Sequence, residues 1–181
     1  MEGRFKLTDV ADVLHDMQVK GIIGDYAVGG ASAVAFYAEP IATKDLDIFF
    51  LFEPPQSGVI LSLEPIYNYC RERGYTYDEE FISIGGWLVQ FVESGHDLLW
   101  KDALANAITF SFDGSDLSVL PPEHLAAMWA GVARPKDILK IQHFAENDVL
   151  EADKLKEVLI RFGLVETWRR IQGGLPNEFR F

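Results

Sequence analysis

The chain has 181 residues, 49% hydrophobic and 24% charged, which is the size and balance of one domain with its own core and excludes disordered and fibrous classes. A net charge of −12 argues against indiscriminate nucleic-acid binding, which needs clustered Lys and Arg; residues 1–100 carry 6 basic against 16 acidic side chains and residues 101–181 carry 10 against 12, so a polyanion would meet the second half first. No apolar run approaches the roughly 20 residues of a membrane span, the N-terminus lacks the basic-then-apolar order of a secretory signal, and Cys70 is the single cysteine, so a cytoplasmic protein with no membrane contact is expected.

In chain order, Val10, Val13, Leu14 and Met17 mark an amphipathic helix with Gly21 past its end. Residues 22–28 read as a strand that breaks at Gly29-Gly30 and flows into a helical composition over 31–37, ended by Pro40. A strand over 44–52 follows, closing at Glu53-Pro54-Pro55. Leu63, Ile66, Tyr67 and Cys70 predict a second amphipathic helix stopped by Gly74. Strands over 81–84 and 87–92 flank Gly85-Gly86, a dipeptide suited to positive φ in a tight hairpin. A helix over 98–107 leads to a second hairpin, 108–112 with 117–120, around Asp113-Gly114-Ser115-Asp116. From Pro121-Pro122 onward three or four helices are predicted, with Leu125, Met128 and Trp129, then Ile138, Ile141 and Phe144, then Leu155, Val158, Leu159 and Phe162 on their buried faces. The Gly173-Gly174-Leu175-Pro176 tail needs a docking surface to stay ordered. A neighbouring copy is one such surface, which points to a homodimer.

The chemistry concentrates in two places. On a strand, Asp45 and Asp47 point the same way with Cα atoms roughly 6.5 Å apart. Paired carboxylates at the mouth of an apolar strand call for a cation, and magnesium takes one or two carboxylates completed by phosphates and water. Upstream, Gly29-Gly30 ends a strand and opens a helix, where free backbone amides hold phosphate, and Ser32 adds a hydroxyl. The order is not that of a Walker loop or a dinucleotide fingerprint. Lys44 flanks the carboxylates from the opposite strand face; phosphate contact and structural pairing with an acid both remain open. His15, His96, His124 and His143 show no metal-ligand spacing, and Cys70 sits on an apolar helix face.

The stretches Tyr26-Ala27-Val28-Gly29-Gly30-Ala31-Ser32 and Ala42-Thr43-Lys44-Asp45-Leu46-Asp47-Ile48 resemble the first signature of the DNA polymerase β-like nucleotidyltransferase superfamily. The resemblance is closest to small prokaryotic nucleotidyltransferase proteins related to AbiEii-type toxins, and extends through 86–91 to Arg134-Pro135-Lys136-Asp137. It implies an α/β (α+β) fold: a mixed sheet flanked by helices, with a nucleotidyltransferase core over 1–120 and a C-terminal helical part over 121–181. It implies that Gly29, Gly30 and Ser32 line the triphosphate, that Asp45 and Asp47 hold Mg2+ or Mn2+, and that Arg134, Lys136 and Asp137 match an Arg-x-Lys-Asp motif near the nucleotide; beside these, Lys44 and Arg134 are candidate nucleotide contacts, and Lys136 and Asp137 candidate partners of the two aspartates in catalysis. The implied reaction moves a nucleoside monophosphate from a triphosphate such as ATP to a hydroxyl of RNA, protein or a small molecule. Two positions depart from the pattern. Gln90 stands on the strand where many members carry a third carboxylate, with Glu93 and Asp97 as nearby substitutes, and Gly131 stands where related toxins carry a lysine. These departures favour the alternative of a catalytically degenerate nucleotide- or partner-binding component of a toxin-antitoxin-like system.

Overall fold

The computed structural model describes residues 5–53 and 62–181. Helix α1 (Leu7–Val19) buries Val10, Ala11, Val13, Leu14 and Met17 on one face. Strand β1 (Tyr26–Val28) is shorter than expected: residues 22–25 run beside the next strand as an irregular extension, held by Gly24 N–H to Leu51 O at 2.7 Å and Leu51 N–H to Asp25 O at 2.9 Å. Where a helix is predicted over 31–37, the chain forms a five-residue 3-10 turn, Ser32–Phe36. Its short i to i+3 bonds, Val34 N–H to Ala31 O and Tyr37 N–H to Val34 O, lead to Tyr37, whose hydroxyl donates to Leu120 O at 2.9 Å and ties the segment down before a longer helix can develop.

Strand β2 (Asp45–Phe50) starts at the first aspartate. The predicted close at Pro54-Pro55 lies outside the described residues. Helix α2 (Glu64–Glu72) is followed by β3 (Thr76–Asp78), an exposed strand that the sequence pattern did not signal. The hairpin of β4 (Phe81–Ile84) and β5 (Trp87–Glu93) turns on Gly85 and Gly86, both at positive φ as expected. After α3 (Leu98–Ala105), β6 (Ile108–Phe112) and β7 (Ser115–Val119) turn on only Asp113 and Gly114, again both at positive φ. Helices α4 (Pro122–Val132), α5 (Pro135–Glu146), α6 (Ala152–Arg161) and α7 (Val165–Ile171) complete the chain.

The strands form one seven-stranded mixed sheet in the order β3-β4-β5-β2-β1-β7-β6. The two strands that carry the chemistry are therefore central: β2 runs antiparallel to β1 and parallel to β5. Buried side chains from sheet and C-terminal helices belong to one continuous apolar cluster. Helix α4 is its most enclosed helix, with Leu125, Ala126, Ala127 and Ala130 fully buried.

The tail overturns the reason given for a homodimer, because it docks on its own chain. Trp168 is fully buried and donates from Nε1 to Phe179 O at 2.8 Å, while Arg180 Nε donates to Leu175 O at 2.8 Å. These contacts seat the last turns against α7 of the same chain. No helix among the described residues is long and apolar enough to cross a membrane.

Candidate nucleotide-binding cleft

Strand alternation sets the floor of the site. Leu46, Ile48 and Phe50 point into the core, leaving Asp45 exposed and Asp47 half-buried on the opposite face. The parallel register places Gln90 of β5 directly beside Asp47. All three open into a cleft of about 630 Å³, whose other walls include Gly30 and Ala31, Trp100 of α3, Met128 and Trp129 of α4, and Arg134, Lys136 and Lys140 around the start of α5.

The two glycines have different reasons to be glycine. At Gly29 an added Cβ would lie 2.3 Å from the Phe49 ring, so core packing excludes a side chain. At Gly30 the backbone has φ +58° and a Cβ would lie 1.8 Å from Asp47 Oδ2. The Asp47 carboxylate thus rests against the turn, a closeness only glycine allows. Gly29 N–H donates to Asp47 O at 2.9 Å, locking turn to strand, and the amides of Gly30 and Ala31 meet no acceptor among the described residues. Ser32 is buried and spends its hydroxyl on Gly29 O at 3.1 Å, bracing the turn from behind rather than lining the cleft.

The facing wall is cationic. Helix α4 ends with Ala133 in the left-handed region, and Pro135 starts α5 one residue after Arg134, so the chain folds back sharply over the cleft. Arg134 and Lys136 line the opening. Asp137, by contrast, has no side-chain exposure: Arg134 Nε donates to its Oδ2 at 2.6 Å and Lys140 Nζ sits 2.8 Å from its Oδ1. Burial pushes the Asp137 carboxyl up, but these two cations outweigh it and hold the group below the ordinary carboxylate range. Asp47 goes the other way, raised by burial first and by Asp45 next, with Lys140 and Lys136 only partly offsetting the rise.

Of the residues expected from sequence, the cleft brings together Gly30, Asp45, Asp47, Arg134 and Lys136. Gly29, Ser32 and Asp137 support its walls from behind, and Lys44 is exposed outside it. Neither expected substitute for a third carboxylate reaches the aspartates. Glu93 lies in register with Phe50, lines a different cavity and accepts from Gly95 N–H at 2.8 Å; Asp97 caps α3 through Trp100 N–H at 3.0 Å. Gly131 lies in a neighbouring groove beside Leu164. Sequence reasoning missed Lys140, although its spacing was informative: Asp137, Lys140, Ile141 and Phe144 fall on one helical face and all are buried.

Two carboxylates and an amide oxygen beside free backbone amides suit a divalent cation that leaves its remaining positions to phosphate and water. Among the described residues no group of three or more His, Cys, Asp or Glu side chains forms a complete protein cage.

No protein-family model matches the chain, and no curated protein matches it in sequence. Among solved structures it is similar to an antigenic nucleotidyltransferase-like protein from Paracoccidioides brasiliensis, with 13% identity and a TM-score of 0.59 over 97% of this chain and 94% of that one. It is also similar to ANT(2")-Ia in complex with adenylyl-2"-tobramycin, with 14% identity and a TM-score of 0.51 over 85% of this chain and 94% of that one. At these identities the shared property is the fold, a nucleotidyltransferase-like mixed sheet flanked by helices.

Proposed function

We propose that the cleft binds a nucleoside triphosphate, ATP among the candidates, together with magnesium or manganese, and that the chain transfers the nucleotidyl group to an acceptor hydroxyl with release of pyrophosphate. The observation that carries this reading is the pairing of opposites across one cleft. Asp45 and Asp47 share one strand face, burial and then Asp45 raise the Asp47 carboxyl above its ordinary range, and Arg134, Lys136 and Lys140 line the same cleft. When bound, the divalent cation supplies charge neutralisation and polarisation at the transferring phosphoryl group. Asp45 and Asp47 hold that charge in place and Gly30 keeps the approach open. The Gly30 and Ala31 amides offer donors to phosphate oxygens, and Arg134 with Lys136 stabilises the departing negative charge. Asp137 is a positioning residue in this scheme, acting through the two cations it holds.

For the acceptor, a small molecule is favoured over RNA or protein. ANT(2")-Ia, with the same fold, is solved with an adenylylated small molecule, and the acidic first half of this chain disfavours a polyanion. A reducing cytoplasm suits the single buried cysteine. The test is a thermal-shift panel of four NTPs with and without magnesium, on wild type and on Asp45→Asn/Asp47→Asn. A magnesium-dependent rise for at least one NTP that disappears in the double variant is expected; no rise in wild type, or the same rise in the variant, sinks the reading.

Gln90 favours a second reading. An amide beside Asp47 takes no proton at neutral pH, and Glu93 and Asp97 face elsewhere. On this reading the chain binds nucleotide without transferring it and acts through a partner protein, as in a toxin-antitoxin-like pair related to the AbiEii type. Pyrophosphate release from a bound NTP, abolished by Asp47→Asn, would exclude it.

A further inference from the structure

We infer that Lys140 is the buried phosphate-binding cation of the cleft, reserved for the phosphates that leave rather than the one transferred; this rests on the nucleotide reading of the site. Lysine is among the residue types least often buried, yet the Lys140 side chain is only 10% exposed. Its ammonium lies 2.8 Å from Asp137 Oδ1 and 4.6 Å from the centre of the Trp129 ring. Those contacts fix its position without using up its bonding capacity, because an ammonium carries three donors and the carboxylate takes one.

Neutralising Asp137 does not explain the lysine. Arg134 already grips that carboxylate through Nε at 2.6 Å and Nη2 at 3.3 Å, and it does so from the solvent side at no comparable cost in desolvation. Two cations on one anion leave a surplus positive charge; both line the cleft, but only Lys140 is held inside the wall, where its charge also offsets part of the rise of the Asp47 carboxyl. Lys136 also lines the cleft but is exposed, so water and salt screen it. The Lys140 charge is held in place before any ligand arrives and in a less polar setting, where the same charge acts more strongly.

With the transferring phosphate at Asp45 and Asp47 on β2, Lys140 is assigned to the remaining phosphates, on the α5 side of the cleft that it lines. Gly131 on α4 opens into the neighbouring groove.

The test compares magnesium tripolyphosphate with magnesium AMP by titration calorimetry on wild type, Lys140→Gln, Lys140→Arg and Asp47→Asn. Lys140→Gln is expected to weaken tripolyphosphate about tenfold or more, leave AMP within about twofold, and be rescued to within about threefold by Lys140→Arg. Equal binding of tripolyphosphate by Lys140→Gln and wild type overturns the inference, as does equal loss of both ligands. If wild type binds neither ligand, or Asp47→Asn binds as wild type does, the nucleotide reading itself fails. Should Lys140→Gln not fold, lysine side-chain 15N spectra of wild type decide. The resonance absent from Lys140→Arg must shift with magnesium tripolyphosphate and not with magnesium AMP; an unmoved resonance rejects the assignment.

Discussion

Asp47 and Asp137 are both withdrawn from water beside the same cleft, yet the protein treats them in opposite ways. Asp137, on the helical wall, is fully buried and gripped by Arg134 and Lys140, which hold its carboxyl below the ordinary range against the pull of burial. Asp47, on the strand floor, is pushed up by burial and by its neighbour Asp45. One acid is electrostatically complete and belongs to the architecture. The other is incomplete in the protein alone, which is the state expected of a group that waits for a cation. Charge placement, more than residue type, distinguishes the two acids.

The largest effect that sharpens this contrast comes from Asp137→Asn. It strands the Lys140 ammonium in the wall, and losing one partner of a buried pair costs about 3–5 kcal/mol, read as a lower urea midpoint. Because the folded-state value of Asp137 lies below its unfolded value, its contribution is full above the ordinary carboxylate range and is lost as pH falls through the folded value. The gap between wild type and Asp137→Asn should therefore close in acid. Equal stabilities at pH 7 would contradict the structural role.

Asp47→Asn should move stability the other way. A carboxyl raised in the folded state penalises folding once pH passes the unfolded value, and the penalty is complete above the folded value. The ligand-free variant is thus expected to melt higher than wild type at pH 7 to 8, with the advantage shrinking towards the ordinary carboxylate range. Affinity for magnesium nucleotide should fall at least about 100-fold, since loss of even an outer partner of a metal ligand costs about 10- to 100-fold. A lower melting temperature together with unchanged affinity would erase the distinction between the two acids.

Gly30→Ala tests how closely floor and turn depend on each other. A side chain there carries the left-handed penalty of roughly 1–2 kcal/mol and must displace the Asp47 carboxylate, 1.8 Å from the new Cβ. Nucleotide affinity should drop along with melting temperature. In an Asp47→Ala background the added destabilisation should shrink, because the group in the way has gone; full additivity would mean the glycine serves only its own φ.

The strand-borne half of the candidate site was legible in the sequence because it is local. Asp45 and Asp47 share a face by strand alternation alone, and Gly29-Gly30 announces a break wherever it occurs. The helix-borne half depends on which face of α5 is buried, and that is decided by α4 and the sheet. Asp137 reads as a catalytic acid when Arg-x-Lys-Asp is taken as a string, whereas its burial and its pairing with Arg134 and with Lys140, one turn later on the same buried face, emerge only in the structure. Strand β3 escaped notice because its three residues are all exposed and carry no apolar alternation; only pairing with β4 defines it. The 3-10 turn after Gly30 was read as a helix from composition, whereas the distant hydrogen bond from Tyr37 to Leu120 helps fix its end.

The smallest effect comes from a third acid that looks like Asp137 on paper. Asp16 also meets two cations, Lys20 and Arg73, the latter at 2.9 Å, and accepts from the Tyr69 hydroxyl at 2.6 Å; its carboxyl is lowered to about 2, chiefly by the bonds from Lys20 and Tyr69. The difference is water, since its side chain is 38% exposed and the network lies at the surface. Solvent and salt screen such pairs, and ordering long side chains offsets much of their attraction. Asp16→Asn should shift the melting temperature far less than Asp137→Asn, the shift should diminish further in high salt, and it should disappear as pH falls towards 2. If Asp16→Asn instead destabilised as strongly as Asp137→Asn, the number of partners rather than burial would govern what an acid contributes to this fold.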